Sequence, residues 1–296
     1  EVCQTGECKL VDVGLYWDCT GDFYGLEVYG EHLTKTDHSI FSQEDYDRLI
    51  SILSNDWSIL REYDFADLTV ETAGVVGNDP PGEEKKVDAT SGATRKEIAS
   101  EAVKDAVYTT YTLWHLIHSG EKEQLEEITV ELLQAGSLEE ELLAASNKKY
   151  DYFLLSLVSQ ARVKSSDSMN ELIMRGLESA NDPLFRDLAV KALAHADAGS
   201  VSFQSDIATL YENSPEALKF RMLTALKDIP LIHGQLASAL EQDLTTKNEW
   251  LALKILPLLM KGPPPSHSAI QTVHRLSESK NVQLEAVASE FLKLFN

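Results

Sequence analysis

The clearest hydrophobic pattern is an internal repeat in the second half of the chain. When the sequence is shifted against itself by 33 residues, five segments align, and one column of the alignment is apolar throughout. That column consists of Tyr152, Phe185, Leu218, Leu251 and Leu284. Two further columns, mostly small or apolar, follow four and eight residues later, so the three columns share one helical face. The pattern predicts stacked helix pairs that meet their neighbours through this face.

In their overall pattern these segments resemble HEAT repeats, a family of α-solenoids. We expect the solenoid to occupy residues 137–296, after a bridging helix over residues 121–136. The resemblance implies a concave surface that binds a partner protein, and it implies no particular chemistry.

The first half of the chain mixes strand and helix patterns. Leu10–Trp17 and Tyr24–Tyr29 contain β-branched and aromatic residues in partial alternation on either side of a turn, which predicts a β-hairpin. Ser42 precedes an acidic first turn and helically spaced apolar residues, which predicts a helix of about three turns. We expect a second helix from Arg95 to about His118 and an α+β domain over residues 1–120.

Charge narrows the range of partners. The chain has 26 basic and 48 acidic residues, a formal net charge of −22. Nucleic acids and anionic lipids need Lys and Arg to neutralise their phosphates, so neither is an expected partner. The sequence also has no run of the roughly 20 apolar residues that cross a bilayer, and we expect no membrane span.

All three cysteines, Cys3, Cys8 and Cys19, lie within the first twenty residues. Their spacing fits neither a zinc pair nor a haem attachment site. One disulfide, either Cys3–Cys8 or Cys8–Cys19, would suit an exported protein, and the sequence leaves the choice open. We therefore expect a periplasmic, cell-surface or secreted protein.

The strongest chemical signal is the segment Asp88-Ala89-Thr90-Ser91-Gly92-Ala93-Thr94. It resembles the flavinylation motif, Asp-x-x-(Ser/Thr)-Gly-Ala-(Thr/Ser), of FMN-binding domains such as those in sodium-pumping and Rnf-type redox complexes. In that family a dedicated flavin transferase joins FMN through its phosphate to the hydroxyl of the last residue. The resemblance covers roughly residues 9–118. It implies a covalent FMN on Thr94, with the remaining cofactor-binding residues being Asp88, Ser91, Gly92 and Ala93.

The residues of this segment also favour binding of a phosphate group, independently of the resemblance. Gly92 and Ala93 leave the backbone unobstructed at the start of the expected helix, where N–H groups and the positive end of the helix dipole favour a phosphate. Arg95 and Lys96 follow directly and can hold a phosphate ester. The alternative interpretation is an ordinary helix cap, because Thr94 and Glu97 fit the Thr-x-x-Glu capping box.

Other candidate chemistry is weaker. His115 and His118 are three residues apart on the expected helix, but no third ligand is evident and we expect no metal site. The sequence contains no Walker loop, nucleophile elbow or HExxH motif, so we predict no catalytic residue. The aromatic residues of the hairpin are predicted to be core. These are Tyr16, Trp17, Phe23, Tyr24 and Tyr29.

The expected function is electron transfer between redox partner proteins, with the solenoid docking the module onto one of them. The cofactor would supply the redox chemistry, so we expect an electron carrier more than a stand-alone enzyme. The alternative is a non-redox scaffold that binds a partner protein and retains a degenerate FMN-binding domain.

Overall fold

The structure is a computed structural model that describes residues 11–65, 68–70, 93–94, 98 and 100–295. The chain forms two compact units, residues 1–129 and 130–296. The boundary lies inside the helix that follows Gly120, nine residues beyond the predicted end of the first unit at residue 120.

The first unit contains both strands and helices. Its strands are β1 (Val13–Trp17), β2 (Phe23–Val28), β3 (Thr69–Val70) and β4 (Ala93–Thr94). Its helices are α1 (Gln43–Leu53), a 3-10 helix (Ile59–Glu62) and α2 (Val107–Ile117), and α3 (Glu121–Gln134) contains the boundary.

The predicted hairpin is confirmed. β1 and β2 pair antiparallel, with Val13 opposite Val28 and a β-bulge between Tyr16 and Trp17. Gly21 closes the turn at a φ of 78°, a left-handed conformation that favours glycine. An added Cβ there would also lie 2.6 Å from the Lys122 carbonyl oxygen, so the turn packs directly on the start of α3. The inner face of the hairpin joins the core of the unit.

Helix α1 begins where the sequence predicts. Ser42 caps it, its hydroxyl accepts a hydrogen bond from the Asp45 backbone, and the Asp45 carboxylate accepts one in return from the Ser42 backbone. The apolar stripe of α1 then places Leu49, Ile52 and Leu53 in the core. The cap and the stripe together fix both the start of this helix and the side that it buries.

The prediction of one continuous helix from Arg95 to about His118 is wrong. Within its described part the chain turns between Glu101 and Ala106, and helix α2 begins only at Val107. Asp105 adopts a φ of 58°, which is incompatible with a continuous right-handed helix. The Thr110 hydroxyl accepts a hydrogen bond from the Val103 backbone and ties this turn to the helix that follows. The apolar periodicity of the sequence continues through the turn, and therefore did not reveal it.

Within its described residues the second unit consists of helices joined by short connections, with no strand. Its helices after α3 are α4 (Glu139–Ala144), α5 (Lys148–Ser159), α6 (Asp167–Glu178), α7 (Pro183–Leu193), α8 (Val201–Glu212), α9 (Glu216–Ala225), α10 (Gly234–Asp243), α11 (Glu249–Leu259), α12 (His267–Leu276) and α13 (Val282–Phe295), with a 3-10 turn at Leu226–Asp228.

Alternate helices of this unit follow a fixed spacing. Helices α7, α9, α11 and α13 begin 33 residues apart, and each packs on the next one in the series. The helices between them also contact one another, α6 with α8 and α8 with α10. At the central predicted column, Ala189, Met222, Ile255 and Ala288 are fully buried. A mostly helical second half is therefore established, and the central apolar column is buried in four of its five segments.

Among the residues that the structure describes, no helix is long and apolar enough to cross a membrane. Cys3 and Cys8 lie outside the described residues, so both predicted disulfide pairings remain open.

Candidate functional site

The predicted flavinylation segment is described only at its end. Asp88, Ser91 and Gly92 lie outside the described residues, whereas Ala93 and Thr94 form strand β4. This strand pairs antiparallel with β3, so that Thr94 is opposite Thr69 and Ala93 is opposite Val70. The backbone at Thr94 is therefore extended and held by a neighbouring strand.

A pocket of about 400 Å³ lies elsewhere in the same unit. Its aromatic lining comes from the hairpin and from α2, and its charged lining comes from the loop after α1, the 3-10 helix and the start of α3. The lining residues are Trp17, Gly21, Phe23, Asp56, Arg61, Trp114, His115, Ile117, His118, Gly120, Lys122 and Glu123. Six of these twelve lining residues are charged or histidine, so the pocket combines aromatic walls with a strongly polar surface.

Trp114 positions one wall of this pocket. The side chain is buried, and its indole N–H donates a hydrogen bond to the Asn55 carbonyl oxygen at 3.0 Å. The imidazole of His118 stacks on the indole, with ring centres 4.0 Å apart and planes inclined by 17°. This stacking fixes the plane of His118 at the pocket wall.

Lys122 carries the main electrostatic feature of the pocket. Its ammonium group lies 2.7 Å from Asp22 and 2.7 Å from Asp56. Burial lowers the pKa of Lys122, but the hydrogen bonds to Asp22 and Asp56 outweigh that effect, and the pKa is raised above its ordinary value. Lys122 therefore stays protonated near neutral pH, and acts as a cation that orders two carboxylates and not as a nucleophile.

The two histidines of α2 contact different groups. His115 Nε2 lies 3.2 Å from the Leu60 carbonyl oxygen. His118 Nδ1 is 2.7 Å from the Trp114 carbonyl oxygen, and its Nε2 is 3.4 Å from Asp56. The residues that the structure describes contain no group of three His, Cys, Asp or Glu side chains arranged to hold a metal ion.

The prediction that the hairpin aromatics are core is right for some and wrong for others. Trp17 and Phe23 pack in the core, but Tyr16, Tyr24 and Tyr29 are exposed. The bulge between Tyr16 and Trp17 explains part of this difference, because it shifts the register of the alternation.

No sequence pattern predicts Asp56, Trp114 and Lys122 as members of one site. Trp114 was recognisable only as part of an apolar stripe, and no local pattern connects it to Asp56 or Lys122. Asp56 lies in the loop after α1, Trp114 lies on α2 and Lys122 lies at the start of α3, and tertiary packing brings the three to one pocket.

No family model, curated protein or solved structure matches the chain. The arrangement of its own residues is therefore the basis for a functional proposal. The described part offers a strand that carries the Thr94 backbone and a pocket with aromatic walls, and both belong to the first unit.

Proposed function

We propose that this chain is an extracytoplasmic electron-transfer flavoprotein that carries FMN covalently, through a phosphoester on Thr94. The observation that carries the proposal is the sequence Asp88-Ala89-Thr90-Ser91-Gly92-Ala93-Thr94, with its last two residues in a strand of a unit that has its own core. The proposed fold of the first unit is that of an FMN-binding α+β domain.

The residues of this segment are chemically suited to holding an FMN that is linked through its phosphate. Thr94 supplies the alcohol that a phosphoester requires, and Gly92 and Ala93 add almost no side-chain bulk beside it. Arg95 and Lys96 supply positive charge in a region where residues 1–120 hold 9 basic and 23 acidic residues, a net of −14. A phosphate near Thr94 would therefore have cationic side chains within a few residues of sequence.

Bound FMN would supply the redox chemistry, and the chain would supply attachment and partner binding. We propose that the second unit is a HEAT-like α-solenoid that docks a redox partner protein. The regular start of α7, α9, α11 and α13 supports this fold, as do hydrogen bonds between successive layers, such as Asn248 to Glu216 and Ser279 to Glu249.

The test is co-expression with a flavin transferase in a host that exports the chain. Intact mass is then measured together with flavin absorbance of the denatured protein. We expect the wild type to gain the mass of one FMN less one water and to retain flavin absorbance after denaturation. Thr94→Ala removes the hydroxyl and is expected to abolish both signals.

Thr90→Ala is the matched control, because it removes a hydroxyl from the same segment at a position that the motif leaves unspecified. This variant is expected to keep the adduct. A wild-type mass unchanged by the transferase would favour the non-redox scaffold, and an adduct that survives Thr94→Ala would rule out the proposed attachment site.

A further inference from the structure

The outer face of the β1–β2 hairpin is rich in exposed tyrosine. Tyr24, Tyr29 and Tyr16 are 63%, 43% and 36% exposed, whereas the opposite face of the hairpin packs in the core. An antiparallel sheet with one buried face normally presents polar side chains on the other. Tyrosine combines a large apolar ring with a polar tip, and is enriched where proteins bind partners.

A carboxylate lies at the centre of this face. Tyr16 and Tyr29 donate hydrogen bonds to Glu27 Oε2 at 2.7 and 3.0 Å, and their own hydroxyl oxygens are 2.7 Å apart. The hydrogen bond from Tyr16, followed by that from Tyr29, lowers the pKa of Glu27. The carboxylate is therefore ionised at neutral pH and held in one orientation before any partner arrives.

Next to this network the surface has a gap. Gly25 is directly opposite Tyr16 in the hairpin, and a Cβ added to Gly25 would meet no atom within 4 Å apart from its two neighbours in the chain, Tyr24 and Leu26. The rings of Tyr16 and Tyr24 have centres 6.3 Å apart and are inclined by 39°. Gly25 thus forms the floor of a slot beside two tyrosine rings, and Glu27 lies two residues along the same strand and the same face.

We propose that this slot, which we call the tyrosine slot and define by Tyr16, Tyr24, Gly25 and Glu27, binds an arginine side chain from a basic segment of a partner protein. A guanidinium group is planar, stacks on aromatic rings and pairs with carboxylates through two N–H groups. Charge complementarity also favours a basic partner segment, because the chain carries a net charge of −22.

The test uses the full chain without flavin, so its outcome is independent of the Thr94 proposal. A fluorescent peptide of alternating arginine and glycine is titrated with the protein, and binding is followed by fluorescence anisotropy at physiological salt. The same peptide with citrulline in place of arginine has similar shape without charge. We expect the citrulline peptide to bind at least about ten-fold more weakly, because charge pairing is lost.

Gly25→Val fills the slot and is the sharpest variant. Its Cβ has open space, and strands favour β-branched side chains, so the thermal unfolding midpoint should not fall. We expect affinity for the arginine peptide to drop at least about ten-fold, because the floor of the slot is blocked. Unchanged affinity in a folded Gly25→Val protein would overturn the proposal.

Two matched pairs separate the slot from general attraction by an acidic protein. Glu27→Gln and Glu44→Gln remove the same charge, but Glu44 is an exposed residue of α1 and lies outside the slot. Tyr24→Ala and Trp57→Ala both remove an exposed aromatic ring. We expect about a five-fold loss for Glu27→Gln and about a three-fold loss for Tyr24→Ala, with the control variants within about two-fold of wild type. Equal losses within each pair would overturn the proposal.

Discussion

The two units of this chain are stabilised by contacts of different range. In the second unit each helical layer is held by the layer before it and the layer after it, as in the packing of α9 between α7 and α11. In the first unit the decisive contacts join positions far apart in sequence. Trp114 bonds to Asn55, Tyr111 donates to the Tyr63 carbonyl oxygen, and Lys122 pairs with Asp22.

This difference determines how far through a unit the effect of a destabilising substitution extends. A substitution in the second unit should disturb mainly the helices that it contacts, because each helix packs on helices close to it in sequence. A substitution at a shared contact of the first unit should weaken the whole unit, because the hairpin, α1 and α2 depend on one core.

The largest effect is expected from Trp114→Ala. The substitution removes a buried indole, its hydrogen bond to Asn55 and the surface on which His118 stacks. We expect a loss of about 3–5 kcal/mol in unfolding free energy, measured by urea denaturation of the full chain. Trp57→Ala removes an exposed indole from the same unit and should cost no more than about 0.5 kcal/mol. Equal costs for the two would contradict the role given to Trp114.

Gln204→Leu should have the next largest effect. The side chain is fully buried, and its amide donates to the carbonyl oxygens of Ala198 and Leu231 and accepts from the His233 backbone. Leucine leaves these backbone groups without their partner, at an expected cost of about 2–3 kcal/mol in the same assay.

The control for this variant is Gln283→Leu, at an exposed position of α13. It should change the unfolding free energy by no more than about 0.5 kcal/mol. A small loss of unfolding free energy in Gln204→Leu would mean that water replaces the hydrogen bonds of Gln204. It would contradict the inference that this side chain connects two successive helical layers.

Gly176→Ala tests the closest approach between two helices. A Cβ on Gly176 would lie 2.5 Å from the Cβ of Ala189, so α6 and α7 must separate locally. We expect a net loss of about 1 kcal/mol, because the clash exceeds the gain in helix propensity. Adding Ala189→Gly should restore stability, since it removes the opposing methyl group.

Gly234→Ala is the matched control for Gly176→Ala. Gly234 is the first residue of α10, and an added Cβ there would meet nothing within 4 Å. This variant should be neutral or slightly stabilising. If Gly176→Ala behaved in the same way, the close packing of α6 on α7 would be contradicted.

The smallest effect concerns pH. The Lys148 ammonium and then the Tyr152 hydroxyl hold the pKa of Asp182 at about 2, below its ordinary value of 3.8. A lowered folded-state pKa gives stability that is present above about pH 4 and lost as the pH falls towards 2. Asp182→Asn keeps a helix-capping side chain on α7 but removes the charge.

We therefore expect the thermal midpoint of Asp182→Asn to depend less on pH between about 5 and 2 than that of the wild type. Asp206→Asn, at an exposed position of α8, is the control and should follow the wild type. Identical pH dependence in all three proteins would contradict the ion pair at Asp182.

The features of the fold that were predicted correctly are those that local sequence patterns encode. The 33-residue register of Phe185, Leu218 and Leu251, the capped helix after Ser42 and the hairpin were all recognisable because each depends on spacing or turn chemistry over a short stretch. The turn at Asp105 was missed, because apolar periodicity continues through it.

The pocket was missed for a different reason. Trp114, Asp56 and Lys122 meet through tertiary packing, and nothing in the sequence near each of them records the others. The tyrosine slot also depends on cross-strand register and on the bulge beside Tyr16, neither of which alternation alone determines.

The proposed attachment of FMN to Thr94 can be located on a single tryptic peptide. Trypsin is expected to cleave after Lys86 and after Arg95, which isolates residues 87–95 from chain matured with a flavin transferase. Fragmentation of this peptide by mass spectrometry should locate the flavin phosphate on Thr94. A modification on Thr90 or Ser91, or an unmodified peptide from chain exposed to active transferase, would show that Thr94 is not the attachment site.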